Sequence, residues 1–511
     1  MKRTLSKGNL LILGLIILIF LAATINLERI PPAWWDEGWT LNVARNWVEL
    51  GHYGQLIDGQ PRDKGLAASF AIVTPVAVSF RLFGIGVWQG RLPSVLYFFG
   101  SMALMFYLAQ SIYNRSVAIA TILVLMFLTG PFHLHPITIG RTVLGEMPMI
   151  FYLLSGYTLL LFSTRKSAWL IIPAAFFWGI AINSKAQALP FWLFSLLLPL
   201  AVSIIKRWWR LANILLFGLT FSWLVSLGIT YIYNQVISPQ FLSPPIEGLI
   251  ESVAIVLNPD SRWIAVLQLT SVGLPTLLGL IYAAWISIKD FSKEVNPVNG
   301  GIVRLTLLGF VGSWLAWYVT LASFWDRYLS PAIFIGSIFT AFLLYELTYH
   351  FNLKAVIQQA SKLFSARDRT SLRAFIGLAV IAFALPVVLN HTVVYLYKLY
   401  SNPGTPVSEV TQYLESITGE NDLIETYESE LFFLLDRRYH YPPDEIDVEV
   451  IAKTSLFDST PYSYDPLEAD PDYLVIGHFA GLSAIYEPVI TSGEFESIKT
   501  FSNYEVYARV R

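Results

Sequence analysis

The chain has 511 residues, 55% hydrophobic, 15% aromatic and only 14% charged, with a mean hydropathy of +0.55 and a net charge of −2. A soluble domain carries about 25% charged residues, so this composition excludes an ordinary soluble enzyme. The chain has no cysteine, which excludes disulfides, thiolate metal sites and cysteine nucleophiles.

Apolar runs of about 18 or more residues recur along the chain, the pattern of a polytopic helical membrane protein rather than of alternating barrel strands. The first run, 9–27, follows Lys2, Arg3 and Lys7 and lacks a small-residue cleavage site, so it reads as a retained first span. Next comes "PPAWWDEGWTLNVARN" (31–46), with Asp36 and Glu37 among three tryptophans. Residues 66–83 are apolar but short, and contain Thr74-Pro75 and Arg81; they read as an interfacial or re-entrant helix. Further spans are expected near 92–110, 116–132, 146–163, 167–184, 187–205, 211–233, 262–287, 303–323, 328–349 and 372–396, eleven with the first.

The loop charges orient this bundle. With the N-terminus inside, the cytoplasmic loops carry Arg115; Arg165 and Lys166; Lys206, Arg207 and Arg210; Lys289, Lys293 and Arg304; and Lys354, Lys362, Arg367, Arg369 and Arg373, as the positive-inside rule requires. A twelfth span at 66–83 would reverse every later loop. The loop 28–91, the loops around 133–146, 234–261 and 324–328, and the C-terminus then face outward. The expected organisation is a transmembrane unit, 1–396, with a large first outer loop, followed by an extracytoplasmic unit, 397–511.

From residue 401 onward there are 21 Asp and Glu against 6 Lys and Arg. This tail contains no spanning segment. It mixes a helix-like stretch (407–417) with strand-like ones (422–427, 472–477, 495–501 and 504–510), so a small α/β domain is expected. No glycine fingerprint or P-loop for nucleotides is present, and the acidic balance suits a solvated lid or docking module.

The informative charges lie at outer span ends: Asp36 and Glu37, Arg141 and Glu146 in "IGRTVLGEMP", Lys185 in "NSKAQALP", and Asp326 and Arg327 in "FWDRYLSP". Each has a local reading. Asp36 can cap a helix, with Glu37 favouring its dipole. Glu146 can be a first-turn acid before a proline. Arg327 can anchor at the interface, and Lys185 can snorkel. His133 and His135, in "GPFHLHP", read as loop or interface residues, since no third ligand is spaced to join them. Taken together, these ionisable groups suggest one polar cavity at the outer edge of the bilayer. Carboxylates there can serve as a general base or bind an acceptor. Arg and Lys can hold a phosphate, and a phosphate tethered in hydrocarbon is a lipid phosphate.

Four segments carry a family resemblance: "WWDEGWTLNVARNWVELGHYG" (34–54), "FRLFGIGVWQGRLPSVLYFFG" (80–100), "GRTVLGEMPMIFYLL" (140–154) and "FWDRYLSPAIF" (324–334). With them the chain resembles integral-membrane glycosyltransferases of the C superfamily (GT-C), in the branch of the dolichyl-phosphate-mannose protein mannosyltransferases and bacterial lipid A aminoarabinose transferases (family 39-like). The resemblance implies inverting transfer of a sugar from a polyprenyl-phosphate donor to a lipid, polysaccharide or protein acceptor of the cell envelope. It casts Asp36, Glu37 and Glu146 as the acidic, catalytic residues, with Asp36 as base. Arg327, Arg141 and Lys185 are cast as donor-phosphate ligands, and Tyr328, His135 and Trp35 are candidate acceptor or sugar contacts. No cofactor is required, although carboxylates can hold a divalent cation; no metal site is assigned. Many relatives carry Pro-Pro-Leu in the first loop where this chain has "PRDKGLAASF" (61–70), a departure on the acceptor side. The rival class, a lipid-linked-saccharide transporter or flippase, predicts mid-span charges, broken helices and an internal repeat.

Overall fold

The computed structural model describes residues 7–64, 68–128, 130–237, 258–291, 300–323, 325–362, 369–401, 406–456 and 460–510. The chain enters as α1 (Lys7–Thr24) and turns into α2 (Trp35–Glu49), a small hairpin (β1, Leu56–Ile57; β2, Gln60–Pro61) and α3 (Phe70–Phe83). The bundle continues through α4 (Val87–Ile112), α5 (Arg115–Phe127), α6 (Pro136–Arg141), α7 (Glu146–Arg165), α8 (Ile171–Ser184), α9 (Ala188–Ile205) and α10 (Trp209–Ile232). It closes with α11 (Pro259–Ser271), α12 (Leu274–Phe291), α13 (Gly301–Thr320), α14 (Ser330–Leu347), α15 (Leu353–Ser361) and α16 (Arg369–Tyr400).

Seven helical segments among the described residues are long and apolar enough to cross a membrane, and a bent pair makes an eighth. At about 1.5 Å per residue, the 13-residue α5 is only about 20 Å long, short of a hydrocarbon core of about 30 Å. The stretch expected as one span at 262–287 is two helices, α11 and α12, bent by 78°. The break falls at "SVGLP", where Pro275 lacks an N–H to continue the ladder. Residues 70–83 form the short helix expected there; it lies against α2, α4 and α8. The outer loop expected at 234–261 lies largely outside the described residues, as do Lys293 and Arg367.

The helix α7 and the segment containing α14 are the most enclosed of the long apolar segments, whereas α16 is largely exposed. Small residues along α14 (Ser330, Gly336, Ser337, Thr340) allow its neighbours to approach closely. Inside the bundle the Tyr157 and Ser195 hydroxyls pair with each other, 2.8 Å apart.

The C-terminal region folds as α17 (Pro406–Ile417), β3 (Leu423–Thr426), α18 (Ser429–Leu434), β4 (Arg438–His440), α19 (Asp444–Leu456), β5 (Tyr473–Ile476), α20 (His478–Ser483), α21 (Glu487–Thr491), β6 (Phe495–Phe501) and β7 (Tyr504–Arg509). The sheet order is β4-β3-β5-β7-β6. β3 is parallel to both β4 and β5, and β7 is antiparallel to β5 and β6. β3 is buried along its whole length, as a central parallel strand should be. α17 presents Val407, Val410 and Leu414 to Ile424, Val475 and Val506 of the sheet. β4 has no counterpart in the sequence reading, because "RYH" is three residues long and shows no apolar alternation.

One core joins distant parts of the chain. Trp39, Leu41, Val43 and Ala44 of α2 and Val73 and Phe80 of α3 pack with Phe432, Phe433, Tyr439 and Tyr441 of the C-terminal region. Polar ties reinforce it: Asn42 donates to the Tyr439 hydroxyl (2.8 Å), and Arg438 pairs with Asp58. The first loop and the C-terminal sheet therefore form one packed layer.

Candidate active site

The start of α2 sets the geometry. Its N-cap, Trp34, is extended and makes no side-chain cap bond, so Asp36 and Glu37 occupy the first helical turn. The capping role open to Asp36 in the sequence is not realised. Adjacent helical residues point about 100° apart, and the two carboxylates go to different partners.

Asp36 forms an ion pair with Arg327, which lies in a short 3-10 turn, Asp326–Leu329, leading into α14. Both side chains retain about a fifth of their exposure. The Arg327 guanidinium lies 5.1 Å from the ring centroids of Trp34 and Trp325 and 5.4 Å from that of Tyr328. Its Nε has no hydrogen-bond partner.

A second ion pair adjoins the first. Glu146, the first residue of α7, is bonded to Lys185, just beyond α8. Arg327 interacts electrostatically with Glu146 as well as with Asp36. The Lys185 ammonium lies 5.0 Å from the Tyr328 ring. Gly145 permits this approach: a Cβ there would sit 2.9 Å from the Ser184 carbonyl oxygen, so a side chain would push α7 away from the residue beside Lys185. The charges thus run Asp36, Arg327, Glu146, Lys185, alternating in sign. Unpaired, such groups at a membrane boundary would be costly.

Other candidates stand elsewhere. Glu37 is fully buried and receives two bonds from Arg91, at 2.8 and 2.5 Å. It also accepts from the Val143 N–H (3.0 Å), while Arg91 donates onward to the Leu27 carbonyl (2.8 Å). These bonds tie α2 to α4 and to the approaches of α1 and α7. Arg141 is buried at the end of α6 and donates to the Ala22 (3.0 Å) and Ile25 carbonyls. His135 caps α6: its Nδ1 accepts from the Ile137 N–H (3.2 Å), and its Nε2 meets the Met126 carbonyl (3.0 Å). Burial pushes this imidazole down to about 4, so it is neutral. His135 stacks on Tyr395, with centroids 4.0 Å apart. Trp35 donates to the Tyr427 carbonyl (2.8 Å) and packs on Tyr427 and Phe479. His133 pairs with Asp326 (2.7 Å).

The structure therefore brings together Asp36, Glu146, Lys185, Arg327 and Tyr328, and sets Glu37, Arg141, His135 and Trp35 into packing and tethering positions. Sequence reasoning missed Trp34 and Trp325 as the rings bracketing Arg327. It also missed Arg91, although "QGRLP" places an arginine at the start of an apolar run. Among the described residues, no three His, Cys, Asp or Glu side chains are grouped to hold a metal ion.

No family model and no curated protein matches the chain. Solved structures do. ArnT from Cupriavidus metallidurans bound to undecaprenyl phosphate superposes with a TM-score of 0.64 at 14% identity, covering 99% of both chains. The same protein in its apo state gives 0.55 at 14% identity, covering 98% and 97%. The archaeal oligosaccharyltransferase AglB from Archaeoglobus fulgidus, in complex with an inhibitory peptide and a dolichol-phosphate, gives 0.55 at 12% identity, covering 98% of this chain and 74% of its own. The chain has the GT-C fold. The resemblance carried by the four short motifs holds at the level of architecture, through the bundle and the C-terminal sheet. In this fold the Asp36–Arg327 and Glu146–Lys185 pairs join helix ends that are remote in sequence.

Proposed function

We propose that this protein is an integral-membrane glycosyltransferase that moves a sugar from a polyprenyl-phosphate donor to an acceptor on the outer face of the membrane. The N-terminus is cytoplasmic and the C-terminal domain extracytoplasmic, a placement that rests on the Lys and Arg loop pattern. The observation that carries the reading is the Asp36–Arg327 pair, in which Arg327 keeps its Nε donor unspent beside the Glu146–Lys185 pair. The bound undecaprenyl phosphate and dolichol-phosphate of the two structural neighbours support a lipid-phosphate donor.

In this reading Asp36 takes the proton of the acceptor hydroxyl. The freed oxygen pair attacks the anomeric carbon as the carbon–oxygen bond to phosphate breaks. The polyprenyl phosphate leaves with that electron pair, and Arg327 and Lys185 stabilise its growing charge. A single displacement from the face opposite the phosphate inverts the anomeric centre. Glu146 holds Lys185 beside the phosphate. The step draws on no cofactor, because side-chain cations receive the leaving charge. The acceptor is a lipid, a polysaccharide or a protein of the envelope.

The test is Asp36→Asn in the full-length protein, purified in detergent and given polyprenyl-phosphate sugars with envelope glycolipids, polysaccharide or peptides. Transfer is expected from the wild type without any compartment, which a transporter would not perform, and is expected to be lost in the mutant while it stays folded and membrane-inserted. Wild-type-like transfer by the mutant would falsify the assignment of Asp36.

A further inference from the structure

The four residues Trp35–Gly38 carry Asp36, and the C-terminal domain grips them from above. Ser429 Oγ donates to the Trp35 carbonyl. That carbonyl belongs to the peptide unit whose nitrogen is Asp36's own, so the bond holds the peptide plane immediately before Asp36. The Trp35 indole donates to the Tyr427 carbonyl at 2.8 Å. At Gly38 the two backbones touch: a Cβ there would fall 2.2 Å from Glu430 Cα, where no side chain fits. From the other side, Glu37 is locked by Arg91.

Ser429 and Glu430 are themselves buried and immobilised. The Glu430 carboxylate accepts from Tyr504 of β7 (2.6 Å). Glu428 accepts from the Phe479 and Ala480 N–H groups (2.8 and 2.9 Å). The grip is thus anchored in β7 and α20, and the Asp36 carboxylate that it carries is paired with Arg327.

We propose that the Tyr427–Glu430 segment of the C-terminal domain is a positioning element for the Asp36 carboxylate, with Ser429 as its positioning residue. The inference rests on Asp36 being the base. It gives the acidic C-terminal domain a part in turnover, beyond that of a solvated lid. Ser429 touches neither donor nor acceptor; it acts by fixing the direction in which Asp36 leaves α2. A displacement of about 1 Å at such a group can cost up to about 10²-fold in rate.

The experiment compares Ser429→Ala, Ser429→Thr and a matched control, Ser483→Ala, in the full-length protein. The Ser483 hydroxyl also bonds a backbone carbonyl, at Phe479, but within the C-terminal domain alone. Turnover, affinity for undecaprenyl phosphate and thermal unfolding are measured for each. Ser429→Ala is expected to lower kcat about 10-fold or more, with undecaprenyl phosphate affinity as in the wild type. Ser429→Thr, which keeps the hydroxyl, is expected to restore most of the loss, and Ser483→Ala to turn over normally. Wild-type kcat in Ser429→Ala, or a loss that Ser483→Ala shares in step with its unfolding temperature, overturns the positioning role. Asp36→Asn, run beside them, separates the two readings: if it stays active, the base assignment fails; if it is dead while Ser429→Ala is normal, only the positioning role fails.

Discussion

Asp36 and Arg327 are 291 residues apart in the chain, yet their side chains form an ion pair at the junction of the first loop and the start of α14. The residue next to Asp36, Glu37, pairs with a different arginine, Arg91, and is fully buried. One pair is partly open to solvent and adjoins further charge; the other is closed and tied to the backbone.

Arg327 is expected to govern the donor. Arg327→Ala should lower kcat/KM for a polyprenyl-phosphate sugar by about 10²–10³-fold, the scale of one lost donor at a developing oxyanion. Arg327→Lys should recover only part of it, because an ammonium lacks the guanidinium fork. Steady-state kinetics with varied donor read this directly. An Arg327→Ala enzyme with unchanged donor dependence would remove the residue from the phosphate site.

Glu37 is expected to govern stability. Glu37→Gln strands the buried Arg91 charge, and breaking a buried pair from one side costs about 3–5 kcal/mol. Thermal unfolding in detergent should show a larger loss for Glu37→Gln than for Asp36→Asn, whose pair is partly open to solvent. The double change Glu37→Leu with Arg91→Met should be milder than either single change. A stable but inactive Glu37→Gln would instead argue for chemistry at Glu37.

The pair Glu428 and Glu430 should make the protein sensitive to pH. Burial, helped by the neighbouring Glu430 charge, pushes the Glu428 carboxyl up to about 8. Burial pushes Glu430 up to about 7, against the hydrogen bond from Tyr504. The folded state therefore holds protons that the unfolded chain releases above the ordinary value of 4.5. Stability should fall as pH rises from about 4.5 to about 8 and level off beyond it. Glu428→Gln should flatten that slope and raise the unfolding temperature at neutral pH. A slope unchanged by the substitution would place the titration elsewhere.

Much of the architecture was legible because its signals are local. β6 spans the same residues, Phe495–Phe501, that the strand-like reading marked, and α17 begins one residue before its expected start. Apolar runs report helices wherever they lie in the chain. The bend at "SVGLP" was legible in principle, since a Gly-Leu-Pro inside an apolar run is a breaker, but mean hydropathy passes over it. β4 was not, since three residues gain strand character only from the neighbour they pair with.

By itself the sequence determined a membrane bundle, an acidic C-terminal domain with strands and a set of charges near the ends of apolar runs. Hydropathy and charge are properties of short windows, and they survive without coordinates. Only the tertiary structure decided which charge meets which. Asp36 and Glu37 are adjacent and chemically alike, but the helical turn sends one to Arg327 and the other to Arg91. Arg141, a candidate phosphate ligand by its place in the sequence, donates from two of its nitrogens to the Ala22 and Ile25 carbonyls at the end of α1. Ion pairing falls off over a few ångströms, so partner choice depends on how the span ends are packed, and no local window contains that.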